Sequence, residues 1–163
     1  MATATPANQS VVTHTITLAS LASDTSLLAG REGTAIDNNT TDDAIDALVG
    51  GFTTTGTSPT ASRQIEIWLY GSYDGTSYSG GATGSDANLS PQEKTLLKLL
   101  QVIPTSSTSN QKYTWGPHSV AQAFGGTMPR KWGVYEVHNT GVNLNSTAGN
   151  HEVKHTPVKY ESA

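Results

Sequence analysis

Arg63-Gln64-Ile65-Glu66-Ile67-Trp68-Leu69-Tyr70 alternates without interruption. Ile65, Ile67 and Leu69 fall on one face, and Gln64, Glu66, Trp68 and Tyr70 on the other. That is the period of two of an extended chain rather than the 3.6 of a helix. β-Branched and aromatic side chains suit a pleated surface, so this stretch predicts a strand with one face toward a core. Outward from it the same grammar recurs. Val12, His14, Ile16 and Leu18 alternate with Val11, Thr13, Thr15 and Thr17; Ala44 to Phe52 runs on through Thr53–Thr55; Leu99 to Pro104, Gln111 to Gly116, Lys131 to His138 and Glu152 to Tyr160 are β-rich. Gly, Asn, Ser and Pro clusters separate these segments and mark turns. Ser90-Pro91-Gln92-Glu93 has the Ser cap, first-turn Pro and Glu of a helix start. Ser119 to Phe124, closed by Gly125-Gly126, reads as one helical turn.

Many short strands with turn signals between them, and no internal repeat, predict an all-β fold: an antiparallel β-sandwich of jelly-roll type with one short helix. The 163 residues suit one domain. Residues 1–10, small and polar around Pro6, read as a flexible extended N-terminal arm, and 11–163 as a single β-sandwich domain.

Composition narrows the function classes. Charged residues are 13% against about 25% in an average soluble domain, the net charge is −4, and Ser and Thr make up about a quarter of the chain. Nine Lys and Arg spread over the whole chain are a poor phosphate footprint, so no nucleic-acid partner is expected. No apolar run approaches the eighteen or so residues of a membrane span, so no membrane partner is expected either, and residues 1–9 lack the pattern of a secretory leader. There is no Cys, hence no disulfide and no thiolate chemistry. Residues 1–60 hold six acids against Arg31, whereas 98–163 hold six bases against three acids. That asymmetry favours contacts between subunits or with a charged partner.

His151-Glu152-Val153-Lys154-His155 matches the H-E-x-x-H pattern of zinc peptidases, which needs a helix to bring both imidazoles to one ion. Val153, Thr156, Pro157 and Val158 favour an extended chain, which separates the two His by about 13 Å and sends Glu152 to the other face. The pattern therefore reads as two histidines on a sheet. His14, on the apolar face of its strand, reads as a core or interface histidine rather than a base. His118 falls in a turn and His138 at a strand end, and no Gly-x-Ser-x-Gly elbow supports a nucleophile. No catalytic residue, metal ligand or cofactor is expected. Asp37-Asn38-Asn39-Thr40-Thr41-Asp42-Asp43 lacks the Gly and the bidentate Glu of a calcium loop and reads as a solvated acidic loop. Asp37, Asp42, Asp43 and Asp46 are candidate partner contacts, as are Trp68, Tyr73 and Tyr78, on and after the Arg63–Tyr70 strand. Exposed aromatics there suit a protein interface or stacking on a sugar ring, and the Gly71–Asn88 loop is of a length that is usually functional or mobile.

Leu27-Leu28-Ala29-Gly30-Arg31-Glu32, then Gly56-Thr57-Ser58-Pro59-Thr60-Ala61 with Gln64-Ile65-Glu66-Ile67-Trp68, then Trp132-Gly133-Val134-Tyr135-Glu136-Val137-His138-Asn139-Thr140-Gly141 follow in that order. Together they resemble capsid decoration (cement) proteins of tailed bacteriophages, over about Ser20 to Tyr160. The resemblance implies a jelly-roll-like, non-enzymatic virion protein on the capsid exterior, made in the host cytoplasm. Its implied partners are the major capsid protein and further copies of itself, as a homo-oligomer, with a trimer favoured over a dimer. The alternative expectation from the residues is a carbohydrate- or receptor-binding sandwich using Trp68 and the Tyr73–Tyr78 loop.

Overall fold

The computed structural model describes residues 4–39 and 43–162. Eleven strands are assigned in it: β1 (Ala4–Asn8), β2 (Val12–Thr13), β3 (Gly30–Glu32), β4 (Ile36–Asp37), β5 (Asp46–Thr54), β6 (Arg63–Ser72), β7 (Ala87–Leu89), β8 (Lys98–Thr105), β9 (Lys112–Ser119), β10 (Lys131–His138) and β11 (Glu152–Ser162). Every pairing among them is antiparallel. Sheet A has the order β1-β11-β5-β9, with β2 also on β11; sheet B has the order β7-β3-β10-β6-β8, with β4 also on β10. The chain crosses between sheets from β5 to β6, β8 to β9, β9 to β10 and β10 to β11, the alternation of a jelly-roll sandwich. The fold is all-β, as the alternating segments predict.

Ile65, Ile67 and Leu69 of β6 and Trp132 and Val134 of β10 pack against Ala47 and Val49 of β5, Trp115 of β9 and Val153 of β11. This is the space between the sheets. The opposite face of β6 and β10 is buried as well: Tyr70, Tyr135 and Val137 form a second cluster with Ala82, Leu89 and Leu97. The long segment after β6, with its 3-10 turns at Ser79–Gly81 and Lys94–Leu96, folds over the outer face of sheet B. The long loop after β6 is largely a second cover for sheet B.

Two local readings change. Ser90-Pro91-Gln92-Glu93 starts no α-helix; a single 3-10 turn follows, capped at Glu93 without a side-chain bond. Leu97, 3% exposed, must reach the outer cluster, and β8 begins at the next residue, so no length remains for a helix. The helical turn is instead α1 (Val120–Ala123), whose Ser119 cap accepts from the Gln122 N–H. The N-terminal segment is extended as expected, but its described part is docked: Ala4 to Asn8 pair with Ser162 to Val158 of β11. Backbone hydrogen bonding secures it although its side chains are small.

Close packing of the outer cluster makes one test. A Cβ on Gly133 would overlap the Tyr70 ring, whose hydroxyl donates to the Gly33 carbonyl. Gly133→Ala is expected to destabilise the fold by about 1–3 kcal/mol, the usual cost of overpacking, as read by urea unfolding. Unchanged stability would mean that Tyr70 is not fixed against β10.

Candidate functional site

The acidic segment is used locally where it is described. Asp37 accepts the Asn39 N–H at 2.9 Å and lies 3.7 Å from Lys131 across the β4–β10 pair. Asp46 accepts from Ser119 Oγ at 2.7 Å and from the Ala121 N–H at 2.9 Å, so it holds the start of α1. Asp43 is exposed at φ +45°, and its N–H donates to the Asn38 carbonyl. Asp42 lies outside the described residues. Asp37 and Asp46 thus face different elements, and among the described residues no three His, Asp or Glu come close enough to share a metal ion.

The aromatic residues are also separated. The Trp68 indole N–H donates to Glu66 at 2.9 Å, and Lys94 Nζ sits 4.9 Å from its ring centroid, which covers the face that would stack on a sugar. Tyr78 leans edge-on against buried Tyr70, with centroids 5.7 Å apart. Only Tyr73, 85% exposed, is presented to solvent. The three do not form a common platform.

The histidines are structural in their geometry. The H-E-x-x-H residues are extended, as the sequence predicts: His151 Nε2 bonds the Asn145 carbonyl at 2.8 Å, and Glu152 pairs with Lys154 at 2.7 Å. His155 points inward, its ring 4.8 Å from His14 and 5.1 Å from Trp132. His14 completes the triangle at 5.0 Å from Trp132, and burial, then the charge of His155, pushes its pKa down to about 3. His138 bonds Thr140 Oγ1 and the Leu21 carbonyl, and burial takes it down to about 4.

The acids that organise the molecule were not singled out by sequence reasoning. Glu32 of β3 is fully buried and accepts from the Thr83 N–H, Thr83 Oγ1 and the Gly84 N–H, tying the cover to sheet B. Glu66 of β6 accepts from Gln64 and Trp68 and pairs with Lys94, tying down the next stretch of the same cover. Asp86 accepts from Thr17 and pairs with Arg31 at 2.6 Å. Asp24 accepts the Ser26, Leu28 and Ala29 N–H groups, and the bonds from Ala29, Leu28 and Ser26 hold its carboxyl below the usual range. A signal was present: Glu66 occupies the polar face of a strand whose partners are apolar, where an acid must be exposed or bonded. A groove of about 580 Å³ between the 17–24 segment, β3 and β7 is lined partly by Arg31 and Asp24, and the contacts above occupy both side chains.

Exposed apolar side chains lie in two separate places on the surface. Leu96, in the last turn of the cover, and Leu99 and Val102 of β8 are 53%, 48% and 41% exposed. Val11 and Tyr160, 61% and 62% exposed, lie along β11 near β1 and β2. β8 adjoins β9 through Gln101 and His118, whereas β1 is at the other edge of sheet A, so the two sets of side chains flank the sandwich from opposite edges. Comparison with family models, curated proteins and solved structures gives no match to this chain.

Glu136 gives the sharpest electrostatic prediction. Fully buried between the sheets, it accepts one bond, from Thr53 Oγ1 at 2.8 Å, while Oε2 has no hydrogen-bond partner among the described residues. Burial raises its pKa from 4.5 to about 7 against the Thr53 bond. The folded value exceeds the unfolded one, so its contribution to stability is complete below about pH 4.5 and is lost as pH rises through about 7. Glu136→Gln keeps the shape without the charge. Its stability relative to wild type should rise by roughly 2–3 kcal/mol from about pH 5 to about pH 8, measured by urea unfolding at each pH. A difference independent of pH would contradict the assignment.

Proposed function

We propose that this chain is a non-enzymatic virion structural protein that binds the outer surface of a tailed-phage capsid and clamps neighbouring major capsid subunits. Exposed apolar side chains at opposite edges of one small sandwich, Leu99 and Val102 of β8 and Val11 and Tyr160 near β11, carry this reading, because they let a single copy touch two neighbours. Contacts that are weak singly become strong when attachment is bivalent, and a lattice repeats them many times. The use of Glu32, Glu66, Asp24, Asp46 and Asp86 to hold loops agrees with a role in which side chains support shape. The resemblance of the three quoted segments to decoration proteins supplies the kind of lattice. A carbohydrate- or receptor-binding tip draws on exposed Tyr73, with Trp68 beneath Lys94, and is the weaker reading.

Quantitative mass spectrometry of gradient-purified phage particles tests the proposal by counting copies of this chain per major capsid protein. A high, fixed ratio matching a lattice site is expected. A handful of copies would assign the chain to a fibre, tail or tip, and absence would remove the virion reading.

A further inference from the structure

Residues 9–16 leave sheet A and close one side of the sandwich. The Gln9 N–H donates to the Pro157 carbonyl at 2.8 Å, Val12 and Thr13 pair with His155 and Lys154, and the His14 N–H donates to the Val153 carbonyl at 2.9 Å. One residue on, the chain has reached sheet B: the Thr15 carbonyl accepts the Thr34 N–H at 2.8 Å, and Thr17 is bonded to Asp86. This strap carries a single ionisable side chain, His14, and buries it. There the ring stands against His155 of β11, centroids 4.8 Å apart at 70°, with Trp132 of β10 edge-on to both. His14 is 4% and His155 1% exposed, and neither ring nitrogen of His14 has a hydrogen-bond partner among the described residues. A proton on His14 would meet neither water nor an acceptor, and it would repel one on His155. The surroundings offer no compensating acid among the described residues. Val12 of the strap and Val49 of β5 stand opposite His155. On the inner face of β10 the first acid is Glu136, about 13 Å along the strand from Trp132 and bonded to Thr53. Alternation puts the Lys131–Asp37 pair and the Glu152–Lys154 pair on the outer faces of their sheets.

We propose that residues 9–16 form an acid-released strap: the neutral His14–His155 pair holds it between the two sheets, and a proton on that pair frees it from β11 and Thr34 while β6 and β10 stay folded. Histidine is the side chain whose charge changes most readily near neutral pH, and a buried pair on two different elements turns that change into movement of one of them. Free in water, His14 has its ordinary pKa of 6.5; under the strap, burial and then the charge of His155 push it down to about 3. The strapped form therefore has its full advantage above pH 6.5 and loses it as pH falls toward 3. Over that range the opening constant rises about tenfold for each pH unit through His14 alone. Glu136 works in the opposite sense, its contribution being complete below about pH 4.5, so acid loosens the strap without loosening β10 through that residue. Against burial, the bonds from Arg31 and Thr17 keep the Asp86 carboxyl below its usual range, so the Thr17 end stays anchored. At the other end Glu161 accepts the Gln9 amide at 2.7 Å. His138, which burial takes down to about 4, titrates in the same sense as His14 but bonds the Leu21 carbonyl, beyond the strap. The device does not depend on the capsid role.

Amide hydrogen exchange of the whole chain, followed by NMR and corrected for the intrinsic effect of pH on exchange, tests the proposal without any variant. Protection of the His14 and Thr34 amides, which bond on either side of the strap, should fall about hundredfold from about pH 6.5 to about pH 4.5, while the amides of β6 and β10 keep theirs. His14→Leu and His14→Gln both remove the titrating ring, one with an apolar and one with a neutral polar side chain. Either variant that folds should lose most of that pH dependence. Strap protection that does not change with pH in the wild type, or that falls only together with β6 and β10, would overturn the proposal. A folded His14 variant whose strap opens as steeply with acid as the wild type would do the same.

Discussion

The antiparallel pair of β6 and β10 is buried on both faces, and most of the molecule is arranged to keep it so. On the inner side Ile65, Ile67, Leu69, Trp132 and Val134 meet sheet A. On the outer side Tyr70, Tyr135 and Val137 would face water, and a sandwich of two sheets has nothing else to lay over them. The chain supplies a cover from the segment between β6 and β8. Loops do not hold themselves on apolar rings, because their backbone groups need partners that rings cannot provide. Glu32 and Glu66 provide those partners from within sheet B, one to the Thr83–Gly84 backbone and one to Lys94.

That arrangement explains both the composition and the surface. A chain with 35% hydrophobic residues closes two clusters because short polar side chains and buried acids satisfy the connecting backbone. Asp24, Asp74 and Asp86 repeat the device, each gathering N–H or hydroxyl groups from a turn or a neighbouring segment. Sheet A has no comparable cover over its outer face among the described residues, and its β1–β11 end extends past β5. Apart from Leu28 and Tyr73, the exposed large apolar side chains lie near β8 on one side, Leu96, Leu99 and Val102, and near β11 on the other, Val11, Ile45 and Tyr160.

Much of the fold was legible in the sequence because alternation reports a strand locally. β5, β6, β8, β10 and β11 could be read from their own residues, and the position of His14 among Val12, Ile16 and Leu18 put it in the core or at an interface, of which the structure shows the core. The second buried face was not legible. Gln64, Glu66, Trp68 and Tyr70 look like a solvent face, and only the tertiary fold shows that Glu66 is satisfied by Lys94 and Trp68 beneath a cover. For the same reason Trp68 and Tyr78 looked available for binding, although only Tyr73 is well exposed. The Ser90–Glu93 helix signal was a sound local preference overruled by the need to bury Leu97 one residue before β8. The four acids between Asp37 and Asp46 looked like one surface; Asp46 turned to α1 and Asp37 to Lys131, a division that spacing along the chain does not encode.

Hydrogen–deuterium exchange of the folded chain tests most directly the claim that the cover is part of the core. Amides at Thr83, Gly84 and Leu97, which bond Glu32 or lie in the turn that Lys94 begins, should exchange nearly as slowly as those of β6 and β10 and open with them. If the cover exchanges at the rate of a free loop while β6 and β10 stay protected, sheet B does not depend on it, and the account given for Glu32 and Glu66 is wrong.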